Sequence, residues 1–298
     1  IVLTNVDEGE AQYIVLAAKK DWEIFEGDGG IDLSLGYTWS DVKDIGGGTS
    51  SVANSNLTNR AYTNLNDPEL ARSDFERRHR YTMNLGLNYS FFDGYETRLN
   101  FFAVRMSGQP FSYTFASGAS GAAGFGTNQQ NGGNLFYVPQ VDSSGNITAT
   151  SDPRIVYAAG TTGAQLSNFQ SYLQRTGLIE HAGKIAPRNE FFGPWSSRID
   201  MSVEQDITIW EDHKVTLELD IFNLTNLLNK NWGRFTSITF PPTANVLNTS
   251  IVGTGVSGCT QATSCYAYNI SSLPAVGARE SVADSSYWQI QVGIRYEF

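Results

Sequence analysis

The sequence lacks the features that identify several large classes of protein. It contains no run of about 18 apolar residues, so no segment is long enough to cross a membrane as a helix. Its three histidines, His79, His181 and His213, are far apart, and neither metal-ligand spacing nor a nucleophile motif occurs. We therefore expect no enzyme activity, no metal site and no cofactor. A barrel enzyme whose carboxylates converge across strands is the alternative that this pattern leaves open.

Positive charge is also scarce. The 20 lysines and arginines and the 30 aspartates and glutamates give a formal net charge of −10. This balance argues against nucleic acid as a partner, because phosphate binding needs a basic surface. The first residues, IVLTNVDEGE, contain neither an initiator Met nor the basic and apolar regions of a signal peptide. We therefore expect that part of the protein precedes Ile1.

The chain does contain strand-like alternation, which is clearest between Ser286 and Phe298. The apolar set of this strand is Trp288, Ile290, Val292, Ile294, Tyr296 and Phe298. Soluble strands usually run about 5–6 residues, whereas a strand tilted across a bilayer needs roughly 9–11. Alternation alone also fits a soluble sandwich. The length of the strand and the aromatic rings near both of its ends favour the outer membrane of a Gram-negative bacterium.

Six earlier segments alternate in the same way, which gives seven predicted strands: 12–25, 31–40, 80–91, 95–106, 198–209, 215–222 and 286–298. The connections are short at 26–30, 93–94 and 211–213, and long at 44–74, 108–194 and 227–283. Outer-membrane barrels have short periplasmic turns and longer extracellular loops. The sequence therefore predicts an all-β fold, a transmembrane antiparallel up-and-down β-barrel. Within the second long loop, residues 164–176 predict a short amphipathic helix, which either packs the loop or grips a ligand.

Two cysteines, Cys259 and Cys265, lie close together in the segment GVSGCTQATSC. No histidine or third cysteine is near them in sequence, so a disulfide in an oxidising compartment is favoured over a metal site. A basic cluster at the outer end of a predicted strand comprises Arg72, Arg77, Arg78, His79 and Arg80. It fits a solvated loop edge, and the alternative is contact with lipopolysaccharide phosphates.

Two further stretches resemble a known family. Pro187–Asp200 (PRNEFFGPWSSRID) with Val203–Asp206 (VEQD), and then Asp220–Arg234 (DIFNLTNLLNKNWGR), resemble the C-terminal barrel of TonB-dependent outer-membrane receptors, most closely the Oar-like group. The resemblance implies a barrel of about twenty-two strands that an N-terminal plug domain fills. Residues 1–298 then form the C-terminal part of that barrel. TonB is the partner implied for the plug upstream, and outer-membrane lipid and lipopolysaccharide surround the strands.

The end of the chain resembles the terminal signal that the barrel assembly machinery reads. That signal is an aromatic last residue preceded by apolar residues at alternate positions. The residues that carry this resemblance are Trp288, Ile290, Val292, Ile294, Tyr296 and Phe298.

The function that the resemblance implies is binding of an unknown extracellular ligand and its import through the outer membrane. The alternative is a surface adhesin or scaffold that presents the long loops. Four aromatic residues in or beside the loops are the candidates for ligand binding, although packing between loops explains them equally well: Phe191, Phe192, Trp195 and Trp232.

Overall fold

The structure is a computed structural model of the chain. It describes residues 7–46, 50–52, 55–56, 60–63, 67–93, 95–116, 133–210, 213–252, 265–274, 276, 280–282 and 286–298.

Strands dominate the described residues. In chain order they are β1 Gly9–Ile24, β2 Gly29–Asp44, β3 Ala71–Arg72, β4 His79–Phe92, β5 Tyr95–Met106, β6 Pro110–Thr114, β7 Ile155–Tyr157, β8 Phe191–Phe192, β9 Ser196–Trp210, β10 His213–Phe222, β11 Thr236–Ile238, β12 Thr243–Asn245, β13 Thr249–Val252, β14 Cys265–Tyr268, β15 Glu280–Val282 and β16 Gln289–Glu297. The helices are α1 Gly163–Thr176 and α2 Leu224–Leu228, with 3-10 turns at Phe25–Gly27 and Leu178–His181. No helix in this part of the chain is long and apolar enough to cross a membrane.

Seven long strands form one antiparallel sheet in the order β1-β2-β4-β5-β9-β10-β16, and β3 adds to β2. Each long strand pairs with the long strand before it in the chain, so the sheet is an up-and-down meander. The long strands contain 9 to 16 residues, enough to cross a bilayer at a tilt. The seven predicted strands and the alternation of short and long connections are confirmed.

The first hairpin extends further than its sequence pattern predicts. Pairing of β1 with β2 continues to Gly9 opposite Asp44, several residues beyond the predicted end of the second strand. The Lys43 ammonium lies 2.5 Å from the Glu10 carboxylate across this extension. Polar cross-strand pairs hold the extension, which is why the hydrophobic alternation did not reveal it.

The register aligns side chains of like character into rows that cross the whole sheet. One apolar row is Trp22, Ile31, Leu87, Leu99, Val203, Leu219 and Val292. The next row, on the opposite face, is Asp21, Asp32, Gly86, Asn100, Ser202, Asp220 and Gln291. Because successive side chains point to opposite faces, the sheet has one apolar face and one polar face.

Protein does not cover the apolar face. Val292 and Ile294 of β16 are 73% and 74% exposed, and Ile221 is the one fully buried apolar residue of the long strands within the described residues. Apolar area of this extent needs a hydrocarbon solvent, since soluble proteins rarely expose large contiguous apolar patches. The face therefore has the character of a lipid-facing surface.

The buried core lies instead in the long connections. We call residues 45–78, 107–195 and 223–288 the first, second and third long connections. The second and third supply a single hydrophobic cluster that includes Phe136, Phe169, Leu173, Val246 and Tyr268. Parallel pairing joins the two connections, between β6 and β12 and between β7 and β14.

Helix α1 is the predicted helix, and its start lies one residue before the expected one. Thr162 and Gln165 form a capping box at its N-terminus, and Gly177 ends it in the left-handed conformation. Its buried residues, which include Phe169, Tyr172 and Leu173, pack into the loop cluster. Burial raises the pKa of Tyr172 and of Tyr268 above the usual value for tyrosine, so both hydroxyls stay neutral across the physiological range.

The two faces of β16 predict opposite responses to charge. Val292 lies near the middle of the strand on the apolar face, and Gln291 lies beside it on the polar face. We expect Val292→Arg to lower the free energy of unfolding in lipid vesicles by about 2–4 kcal/mol, the cost of an arginine near the bilayer midplane. Gln291→Arg should change it by less than about 1 kcal/mol, because its side chain stays in water. Equal losses in urea titrations of the two variants would contradict this assignment of faces.

Candidate functional site

A cavity of about 300 Å³ opens at the end of the sheet where the long connections leave the strands. It is lined from the polar face by Arg80, Phe102, Val104, Met106 and Arg198, and from the third long connection by Gly233 and Phe235. The strand residues of this set share one face because the register pairs Arg80 with Met106 and Arg198 with Val104. The polar face of the sheet therefore leads into this cavity.

An adjoining cleft of about 730 Å³ shares Ser197, Arg198 and Gly233 with the cavity. It lies between the start of β9 and the turn that follows α2. Trp195 and Trp232 both line it, together with Arg234. Together the cavity and the cleft form what we call the mouth site.

The mouth site is cationic although the chain as a whole is acidic. The Arg198 guanidinium lies 2.7 Å from the Asp200 carboxylate. Arg80 and Arg234 are exposed, and neither forms an ion pair with a residue that the structure describes. Exposed guanidinium groups beside indole rings suit an anionic ligand with a flat or apolar part.

The four aromatic candidates from the sequence have different surroundings. Trp195 and Trp232 both line the cleft, and Trp195 does so from the lipid-facing side, where it stacks on Tyr81. Phe191 is partly buried against Phe111 and Tyr113, so it belongs to the packing of the loops. Phe192 lies under the Arg72 guanidinium at 4.9 Å.

One segment of the family resemblance fastens the second long connection to the first. The buried Arg188 guanidinium donates to the backbone carbonyl of Asp44 and lies 3.3 Å from its carboxylate. Asn189 donates from Nδ2 to the Arg72 carbonyl at 2.7 Å and to the Asp74 carboxylate at 2.6 Å. Its Oδ1 accepts from Ser112 Oγ at 2.9 Å. These bonds tie the bases of two long connections to each other.

The other segment folds the third long connection back onto the sheet. Asn223 is in the left-handed conformation, and its backbone N–H donates to the Asp200 carboxylate at 2.7 Å. Its Nδ2 donates at 2.8 Å to the carbonyls of Gly233 and Ser286. Gly233 also has a positive φ, and a Cβ there would lie 1.9 Å from Asn223 Oδ1. The Asn223 clasp therefore fixes one wall of the mouth site.

A charged network lies towards the opposite rim of the polar face, near the short turns. Arg98 contacts Glu204 at 2.8 Å, Asp206 at 2.6 Å and Glu96 at 2.9 Å. Asp206 is buried, and its carboxylate also lies 2.6 Å from the Lys214 ammonium. Sequence reasoning did not bring these residues together, because their pairing depends on register between strands far apart in the chain.

Two other predictions stay untested. Cys265 is buried at the start of β14, whereas Cys259 lies outside the described residues, so the disulfide remains a prediction. The expected assembly residues share the exposed apolar face of the last strand, where Tyr296 stacks on Phe298 at 5.8 Å between ring centroids. This geometry is compatible with an assembly signal and does not test it.

The Asn223 clasp predicts a local loss of stability. Asn223→Ala removes the three side-chain hydrogen bonds, from Nδ2 to Gly233 and Ser286 and from Thr225 Oγ1 to Oδ1, of about 1 kcal/mol each. It also places an alanine in a left-handed conformation that costs roughly 1–2 kcal/mol. We expect segment 223–233 to open more easily by about 3–5 kcal/mol. Hydrogen-exchange mass spectrometry of the backbone amides of Asn226, Asn229 and Trp232, which are bonded within the segment, measures this opening. The exposed Asn231→Ala is the control, and equal acceleration in both variants would refute the clasp.

Comparison with known proteins agrees with the geometry of the sheet. A family model described as an outer membrane beta barrel domain matches residues 26–262, from the first short turn into the third long connection. No curated protein and no solved structure matches the chain. The matched region includes five of the seven long strands, and the apolar face of the sheet is the surface that such a barrel presents to lipid. The chain belongs to the outer-membrane β-barrel domain family, located in the outer membrane of Gram-negative bacteria.

Proposed function

We propose that this chain is the C-terminal part of the barrel of a TonB-dependent receptor, of the Oar-like group, that binds an extracellular ligand and imports it. The observation that carries the proposal is the mouth site, where Trp232 and three arginines lie at the outer end of a polar strand face. A receptor needs a specific site at the extracellular rim and a polar path behind it. The long-loop rim is extracellular in barrels of this kind.

The family resemblance supports the same proposal. Its segments contain Arg188, Asn189, Asp200 and Asn223, whose hydrogen bonds fix the bases of the loops around the mouth site. In the proposal, a plug domain upstream of Ile1 engages TonB, and the barrel assembly machinery reads the alternating residues of the last strand.

The edges of the sheet support a barrel larger than seven strands. Within the described residues, β1 pairs only with β2, and β16 pairs only with β10. Backbone N–H and C=O groups that face lipid without a partner cost several kcal/mol each, so spanning sheets close into barrels. Additional strands of a receptor barrel would pair both edges.

A surface scaffold or adhesin is the second candidate. The hydrophobic cluster shared by the second and third long connections gives the loops a packed core of their own. A folded loop unit is a suitable platform for a partner on another cell or on the same surface.

Uptake from a chemically complex medium tests transport without knowledge of the ligand. Untargeted mass spectrometry follows which components disappear in wild-type cells, in cells without this gene, and in cells without TonB. We expect at least one anionic component that both deletions leave behind. We expect complementation with Arg234→Ala to slow its removal at low concentration by about tenfold, the loss of one charge-assisted hydrogen bond.

The matched control is Arg175→Ala. Arg175 is an exposed arginine on α1, and it lies outside both parts of the mouth site. This variant should restore full uptake. Normal depletion of every component in the gene deletion, together with loss of surface attachment, would reject transport in favour of the scaffold.

A further inference from the structure

Strand β5 has one charged residue on its lipid-facing side, Arg105. The apolar-face set of β5 is Tyr95, Thr97, Leu99, Phe101, Ala103 and Arg105. Arg105 pairs with Tyr81 and with Ser197 and lies one residue from the long-loop end of the strand. An arginine facing lipid costs about 2–4 kcal/mol at the midplane and about 0–1 near the interface. The position of Arg105 is therefore at the level of the lipid headgroups.

Aromatic rings surround this arginine on the same face. The Arg105 guanidinium lies 5.3 Å from the centre of the Trp195 ring. Trp195 stacks against His79 at 5.8 Å and Tyr81 at 6.3 Å, and the Tyr37 hydroxyl lies 2.9 Å from His79 Nδ1. Tryptophan and tyrosine are enriched at this depth in membrane proteins. The cluster fixes the plane of Trp195 and so the position of the cation beside it.

The Arg105 guanidinium has N–H groups that are available to donate hydrogen bonds. Its side chain is exposed, and it forms no ion pair with any residue in the described part of the chain. A cation–π contact with Trp195 uses the face of the guanidinium and leaves its N–H groups at the edge free to donate. A planar guanidinium with free N–H groups binds phosphate oxygens in a bidentate way.

An apolar groove begins at Arg105 and continues along the lipid-facing side. It has a volume of about 490 Å³, and its lining includes Leu16, Leu35, Met83, Ala103, Arg105 and Ile199. The register places Leu35, Met83, Ala103 and Ile199 in one row across four strands. The small Ala103 side chain between Met83 and Ile199 leaves a depression in this row. The row lies on the midplane side of Arg105.

We propose that Arg105 and this groove bind one phosphorylated lipid of the outer leaflet, of the lipid A type. Its phosphate accepts hydrogen bonds from Arg105, and one of its acyl chains lies along the groove past Ala103. The combination of an unpaired cation at headgroup depth with an apolar groove beneath it matches an amphiphile that has an anionic head and a hydrocarbon tail.

The basic cluster expected from the sequence does not provide this site. Arg72 pairs with the buried Glu76 at 2.7 Å, and Arg78 lies 3.5 Å from Asp41. Arg80 lies on the polar face and lines the mouth site. The control is therefore Arg175, an exposed arginine on α1 that lies outside both the mouth site and the groove.

The test measures lipid binding to the purified full-length protein in a neutral detergent by native mass spectrometry. The probes are lipid A, lipid A without its phosphates, and inorganic phosphate as a competitor. We expect Arg105→Gln to weaken binding of lipid A about five- to tenfold, the contribution of one arginine near a membrane surface. Arg175→Gln should bind as the unaltered protein does. Ala103→Phe, which fills the groove, should weaken binding of both lipids.

Each alternative outcome is distinguishable. A heat-resistant compact form on gels shows that each variant is folded. Unchanged binding by Arg105→Gln, or an equal loss with Arg175→Gln, would overturn the proposal, as would equal binding of the dephosphorylated lipid. Full competition by millimolar inorganic phosphate would identify a free-phosphate site instead of a lipid site.

Discussion

Hydrogen bonding of the backbone in hydrocarbon is the constraint on which this structure depends. No water is present there to pair with N–H and C=O groups, so each spanning segment must pair along its whole length. Within the described residues, the five inner long strands satisfy it by antiparallel pairing on both edges, and β1 and β16 are paired on one edge each. Irregular backbone is confined to the connections, where water and the loop core supply partners. The polar mouth site lies at the boundary between the paired strands and the irregular connections.

The same constraint separates the apolar residues into two populations. Those of the strands, such as Val292 and Ile294, stay exposed because lipid is their solvent. Those of the second and third long connections, such as Phe136 and Leu173, are fully buried in a core outside the sheet. Ordering the long connections costs conformational entropy. The burial of apolar side chains in the loop core offsets that cost.

Local patterns in the sequence predicted the fold because each depends on neighbouring residues. Period-two alternation predicted the long strands, and the amphipathic pattern of residues 164–176, before Gly177, predicted helix α1. The loop core, the Asn223 clasp and the Arg98 network were not predictable in this way, since each joins residues separated by tens of positions. Trp195 and Trp232 were chosen for their residue type and do line one cleft, but the same reasoning chose Phe191, which packs in the loop core.

The side chains of the two resemblance segments hold the loops around the mouth site in place. They do not account for which ligand the mouth site would select. Arg188, Asn189, Asp200 and Asn223 use their polar atoms on backbone carbonyls, carboxylates and one another, which leaves few donors for a ligand. The residues with free donors, Arg80 and Arg234, stand outside those hydrogen bonds. Proteins that share the clasps are therefore free to vary the groups that contact a ligand without disturbing the loops. In the proposed receptor, ligand identity therefore depends on the mouth residues themselves.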